Sequence, residues 1–237
     1  MSNIGPTVIR HYPTPFLNPA GLERFIPSLG LPVEPTRRYS VLSATGADGS
    51  PVITLPNLGS AGGSLGVLAA DTPPLLGTRN GVPAIKTNGA NSARMFDAPL
   101  ETAIGTAPVT IYAVATIAIP ATGGTFVGWG PTTNAGIKIT PAGVLTAYRG
   151  SEFSSGQTVP AGQWRVMVFV ANGASSVLRI NDTEVNGTTG TTSIAPYAFG
   201  MGGNTPADVA EIGQFDRALT KAERDTLVAN LREQYGI

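Results

Sequence analysis

Two acidic pairs lie close together in the chain, Asp182 with Glu184 and Asp208 with Glu211. Hydrolysis of a glycosidic bond needs an acid and a nucleophile flanking that bond, about 5 Å apart in a retaining enzyme. The first pair falls at a hairpin end, where carboxylates are solvated, and the second opens the last strand. Neither is read as catalytic. His11 is the only histidine and sits in a proline-rich stretch, so a Ser-His-Asp triad or a multi-histidine metal site would have to be built around one imidazole. It is read as a polar contact. Cysteine is absent, which excludes disulfides, thiol catalysis and cysteine-based metal sites. "GGSLG" and "GMGGN" lack the lysine and hydroxyl residue of a phosphate-binding loop and are read as turns. Asp71, Asp97 and Asp208 are loop acids that could meet a hard cation's need for several oxygens, but each is read as a solvated acid. No catalytic residue, metal or cofactor is expected, and the chain is read as not an enzyme.

Binding residues are easier to nominate. A saccharide site usually offers an exposed aromatic platform with polar neighbours. Trp129, in "FVGWGPTTN", and Tyr148, in "AYRGSEF", are the candidates, with Arg149 and Asn134 beside them. For Trp129 the competing reading is core packing, and a protein that melts on Trp129→Ala would decide for it. Trp164 is read as packing.

These residues must be held by a β scaffold. The 237 residues suit one large all-β domain, which commonly runs to about 200–250 residues. Only 13% are charged, with 15 basic and 15 acidic side chains, so no basic field is available to hold nucleic acid or an anionic membrane. "VTIYAVATIAI" alternates, with Ile111, Ala113, Ala115, Ile117 and Ile119 on the face expected to be deeply buried. Trp164, Val166, Val168 and Val170 alternate on a strand that turns at "ANGAS" and returns through Val177 to Ile180, a hairpin. Val209 to Phe215 is the last strand. Thr220 and Glu223 then have the spacing of a capping box. Leu227, Val228, Leu231 and Tyr235 recur at helical spacing before Gly236, which predicts a helix over 220–235.

Residues 1–38 differ from the rest. Seven prolines forbid helix and central strand, yet the segment is too apolar for a solvated linker. It is read as an extended arm that assembles the protein, with Tyr12, Phe16, Phe25 and Ile26 as anchors; the alternative is that it folds back on its own domain, residues 39–237. The start of the chain has no apolar run of signal-peptide type, and no segment is long and apolar enough to insert in a membrane.

The ending "AEIGQFDRALTKAERDTLVANLREQYGI" and the "GQWRVMVFVANGASSVLRINDTEV" hairpin resemble the concanavalin A-like lectin/glucanase superfamily, and within it the laminin G-like jelly rolls. "NLGSAGGSL" from Asn57 and "NGVPAIKTNGANSARM" from Asn80 are similar to the family's upstream turn and strand, with Asn57 where Asp is usual and Thr87 where an aromatic is usual. The resemblance covers about residues 40–237. It implies a two-sheet antiparallel jelly roll and no single activity, since lectins, glycosidases, adhesion modules and phage structural proteins share the fold. The glycosidases of the superfamily carry E-x-D-x-x-E on one strand, a spacing absent here. The expected function is therefore a virion structural protein. It would be a phage minor tail or baseplate component, made in the host cytoplasm, homo-oligomeric or docked on other subunits of a particle. The alternative is a carbohydrate-binding module for a host-surface glycan, and a third, less favoured reading is a glycoside hydrolase.

Overall fold

The computed structural model describes residues 26–67, 71–88, 94–97, 104–118, 123–129, 135–194, 199–202 and 205–237. Tyr12, Phe16, Phe25 and Asn134 lie outside these residues. In chain order the elements are β1 (Arg37–Ser40), β2 (Thr54–Pro56), β3 (Ser64–Val67), β4 (Leu75–Arg79), β5 (Val82–Asn88), β6 (Met95–Phe96), β7 (Val109–Ile117), β8 (Gly124–Trp129), β9 (Gly136–Ile139), β10 (Val144–Tyr148), β11 (Glu152–Thr158), β12 (Arg165–Ala171), β13 (Ser176–Ile180), β14 (Thr183–Gly187), β15 (Phe199–Met201), β16 (Pro206–Phe215) and α1 (Lys221–Tyr235).

These strands make the all-β, two-sheet antiparallel sandwich that the turn-rich sequence predicts. One sheet has the order β14-β13-β12-β7-β16-β5-β4, and the other β11-β10-β9-β8-β15-β6-β3-β2. β16 serves two partners along one edge: Pro206 to Val209 pair with β5, and Glu211 to Gln214 pair with β1. A shift of register against β7 between Val209 and Glu211 marks the division. An extra residue there bends the strand and lets each half face a different neighbour.

β7 departs from expectation. All nine of its residues are buried, not one face alone. The inward face meets the second sheet, while the outward face is roofed by the chain's end. Thr110 Oγ1 donates to Arg217 O (2.8 Å) and accepts from Leu219 N (3.0 Å). Tyr112 lies over Gly213, where a Cβ would stand 2.4 Å from the ring. Glycine is required there because the phenol needs that space.

The closing run folds as its sequence predicts. Thr220 Oγ1 accepts from Glu223 N, the Glu223 carboxylate accepts from Thr220 N, and Gly236 closes the helix in the left-handed region at φ 65°. Leu227, Val228, Leu231 and Tyr235 face the sheet and are buried. Arg217 also grips the Glu223 carboxylate at 2.7 and 2.9 Å. Arg217 first, then the Thr220 contacts, hold that carboxyl at about 2 against its ordinary 4.5. A depressed carboxyl stabilises the fold above its unfolded value, and that share is lost as pH falls toward the folded value. Glu223→Gln is therefore expected to flatten the fall in melting temperature between about pH 4.5 and 2, read by thermal denaturation across that range. A wild-type slope in the variant would show that the cap does not titrate with stability.

The β12–β13 hairpin is formed as expected, with Val170 opposite Val177 and Met167 opposite Ile180. β4 and β5 join through Asn80 (φ 50°) and Gly81 (φ 80°), two consecutive left-handed residues that match the twist of a tight hairpin. Asn57 organises the turn after β2: its Oδ1 accepts from Arg38 N and Gly59 N at 2.8 Å, and its Nδ2 donates to Gly62 O at 2.8 Å.

Leu29 and Leu31 are buried in the core, and Ile26 is half-buried. Asn230 on α1 donates to Leu29 O, and Arg38 donates to Pro27 O. Residues 26–36 thus lie along the sandwich that they precede.

Candidate functional site

The structure separates the residues nominated for binding. Trp129 is 1% exposed, with its ring 5.3 Å from that of Phe199. Its indole N–H has no partner, so packing alone holds it. It is a core residue and not a platform, because Gly128 takes the outward position at the end of β8.

Arg149 is also withdrawn from solvent, at 1% exposure. Its guanidinium donates to four backbone carbonyls: Thr192 O (3.1 Å), Ala107 O (2.8 Å), Ala171 O (3.2 Å) and Gly105 O (2.9 Å). Burial lowers its pKa from the ordinary arginine value. It ties loops together and has no face for a ligand.

Tyr148 alone of the described candidates reaches the surface, half-buried on the outer face of the second sheet. It stands in one cross-strand row with Gly136, Gly128, Gly200 and Phe96. Lys138 places its ammonium 5.3 Å from the Tyr148 ring centre and 2.8 Å from Glu152. One side of the ring is therefore already engaged by a cation.

The acidic residues are structural to a degree the sequence hides. Glu211 is fully buried. It accepts from Arg38 Nε (2.9 Å), Tyr112 (3.1 Å), Tyr235 (2.8 Å) and Gln234 (3.0 Å). Burial first, then the Glu211 charge, pushes both phenols well above their ordinary pKa, so they stay protonated as donors. The expected solvated loop acids are instead ion-paired: Asp97 with Arg37, Asp71 with Arg94 and Asp208 with Arg79. Glu184 is held by Arg224 at 2.6 Å. Among the described residues no group of three or more metal-ligating side chains gathers.

A concave site opens at the edge of the sandwich, where the end of β11, the start of β12 and the β13–β14 turn meet. It is an open groove of about 420 Å³ lined by Gln157, Thr158, Val159, Pro160, Arg165, Ile180, Asn181, Asp182 and Thr183. Its rim is fixed to its wall: Asn181 N donates to Val166 O (2.8 Å), and Val166 N donates to Asn181 Oδ1 (2.9 Å). Asn181 adopts φ 49°, which asparagine tolerates better than most residues. Asp182 is bound by Arg232 at 2.9 and 3.2 Å. Sequence reasoning passed over this site. The signal it offered was Arg165, a cation opening an otherwise apolar strand beside an Asn-Asp turn.

No protein-family model matches the chain, and no curated protein matches it. Solved structures do share its fold. A Trypanosoma rangeli sialidase in complex with sialic acid is 14% identical with a TM-score of 0.58, over 93% of this chain and 36% of that one. The ligand-binding domain of botulinum neurotoxin serotype D, in complex with N-acetylneuraminic acid, is 9% identical with a TM-score of 0.58, over 82% of this chain and 50% of that one. The binding domain of Paraclostridial Mosquitocidal Protein 1 is 15% identical with a TM-score of 0.57, over 82% and 52%. The chain spans about a third of the sialidase and half of the toxin domains. These likenesses are to β-sandwich folds and are consistent with a concanavalin A-like jelly roll. They correct one expectation. The absence of E-x-D-x-x-E predicts a chain that is not an enzyme, but sialidase structures share this fold over about a third of their length, so a missing motif from one group of glycosidases does not exclude glycoside chemistry for the fold.

Proposed function

We propose that this domain binds glycans in the groove between β11, β12 and the β13–β14 turn. The observation that carries the reading is the groove's lining. Gln157, Thr158, Asn181 and Thr183 offer hydrogen-bonding groups to sugar hydroxyls, while Val159, Pro160 and Ile180 offer apolar surface to the ring's C–H face. Its volume falls within the roughly 300–1,000 Å³ of small-molecule sites. The ligands in two neighbouring structures, sialic acid and N-acetylneuraminic acid, support the same class. Tyr148 is a second contact in this proposal, for a saccharide that extends over the outer sheet. Of the anchors behind the virion reading, Tyr12, Phe16 and Phe25 lie outside the described residues and Ile26 is half-buried beside its own domain, and no described observation favours that reading over glycan binding.

The test is a glycan array followed by calorimetry on the hits, with Thr183→Trp to fill the groove from its exposed rim. Binding that Thr183→Trp abolishes at unchanged melting temperature supports the reading. Binding that survives it but is lost in Tyr148→Ala moves the site to the outer sheet, and an empty array rejects glycan binding.

A further inference from the structure

We propose that Arg165 anchors a carboxylate, so that the groove selects acidic saccharides over neutral ones. This rests on the glycan-binding reading and names the ligand class within it. The chemistry is a carboxylate carried on a sugar ring, supplied either by a nonulosonic acid at a chain end or by a uronic acid.

The argument begins with the arginines. Of the ten that are described, eight hold a carboxylate within the protein. Arg149 is buried among carbonyls. Arg165 is the remaining one. Its Nη1 donates to Trp164 O at 2.8 Å and its Nη2 donates to Gln163 Oε1, both neutral acceptors. A guanidinium carries five N–H donors in a fixed fork, and two are engaged here. The rest are available on a half-buried side chain that lines the groove.

Its position is set before any ligand arrives. The two neutral contacts orient the plane of the fork, and the Asn181–Val166 pair ties the opposite rim to the residue next to Arg165. A preorganised fork loses little freedom on binding, and its spacing matches two oxygens of one carboxylate. The groove's own acid does not cancel it. Asp182 already faces Arg232, so the three side chains together leave one uncompensated positive charge. A neutral sugar leaves that charge unmatched, whereas a carboxylate pairs it in a partly desolvated site.

Calorimetry with 3′-sialyllactose, a glucuronate-containing disaccharide and lactose, on wild type, Arg165→Ala and Arg165→Lys, tests this. The wild type is expected to bind at least one acidic sugar ten or more times tighter than lactose, with affinity falling as salt rises. Arg165→Ala should remove that preference, bringing the acidic sugars to the affinity of lactose. Arg165→Lys, which keeps the charge and loses the fork, should fall between. The two acidic ligands distinguish the nonulosonic from the uronic source. Equal affinity for acidic and neutral sugars, or a preference untouched in Arg165→Ala, overturns the carboxylate assignment while glycan binding stands. No binding of any sugar by wild type rejects glycan binding itself. Should Arg165→Ala fail to fold, Arg165→Gln, whose amide can still donate to Trp164 O, carries the same comparison.

Discussion

Replacing Glu211 by alanine is expected to lower stability by about 3–5 kcal/mol, because it leaves Arg38 charged and buried without its partner. For a chain of this size that is a fall of roughly 6–20 °C in melting temperature. Both side chains are at most 5% exposed. Arg38 is held charged: burial works to lower its pKa, but the Glu211 carboxylate overcomes this and raises it. Tyr112, Tyr235 and Gln234 also lose an acceptor, and they belong to two elements, β7 and the last turn of α1. The control is the double replacement Arg38→Met with Glu211→Leu, which removes both charges together. Such swaps are often neutral or stabilising, so the double variant should recover most of the loss. Equilibrium urea denaturation of wild type and the two variants compares the losses. A cost below about 1 kcal/mol for Glu211→Ala would show that the cluster is not holding β1, β16 and α1 together.

That cluster also shows where the sequence stopped being readable. The closing helix was legible because its cap, apolar spacing and terminal glycine are all local, and the β12–β13 hairpin because its alternation and turn residues are adjacent. Glu211 sits in "AEIGQF", an acid in an apolar strand, but its partners Arg38, Tyr112 and Tyr235 come from across the chain. Only the fold brings them together. Trp129 failed for a different reason. β8 loses register against β9 between Thr125 and Val127. The bulge at Phe126 breaks simple alternation: Phe126 and Val127 are both buried, and Trp129 follows Val127 inward. Bulges carry no reliable signature in sequence, so the facing of that tryptophan was open. The groove was hidden because three separate segments supply its walls, and each reads alone as an ordinary strand end or turn.

Arg149 is the sharpest case, since its chemistry suggested a ligand contact and its structure gives it another task. Arg149→Met, close in volume and without donors, is expected to cost about 1–3 kcal/mol, because the buried Ala171 carbonyl loses its donor, while Ala107 and Thr192 are exposed and can turn to water and Gly105 O keeps the Ile194 amide. The four carbonyls lie on the segment before β7, at the end of β12 and after β14, so one side chain closes that end of the sandwich. Arg149→Lys should recover little, because an ammonium is a single point that cannot span acceptors arranged around a planar fork. Two readouts separate this role from ligand binding. Hydrogen exchange should quicken at the Gly105 and Ile194 amides, which donate to each other's carbonyls across the loops that Arg149 bridges. Sugar affinity per folded molecule should not change, because Arg149 does not line the groove. A variant that keeps wild-type stability and loses glycan binding would reverse the assignment and return Arg149 to the binding site.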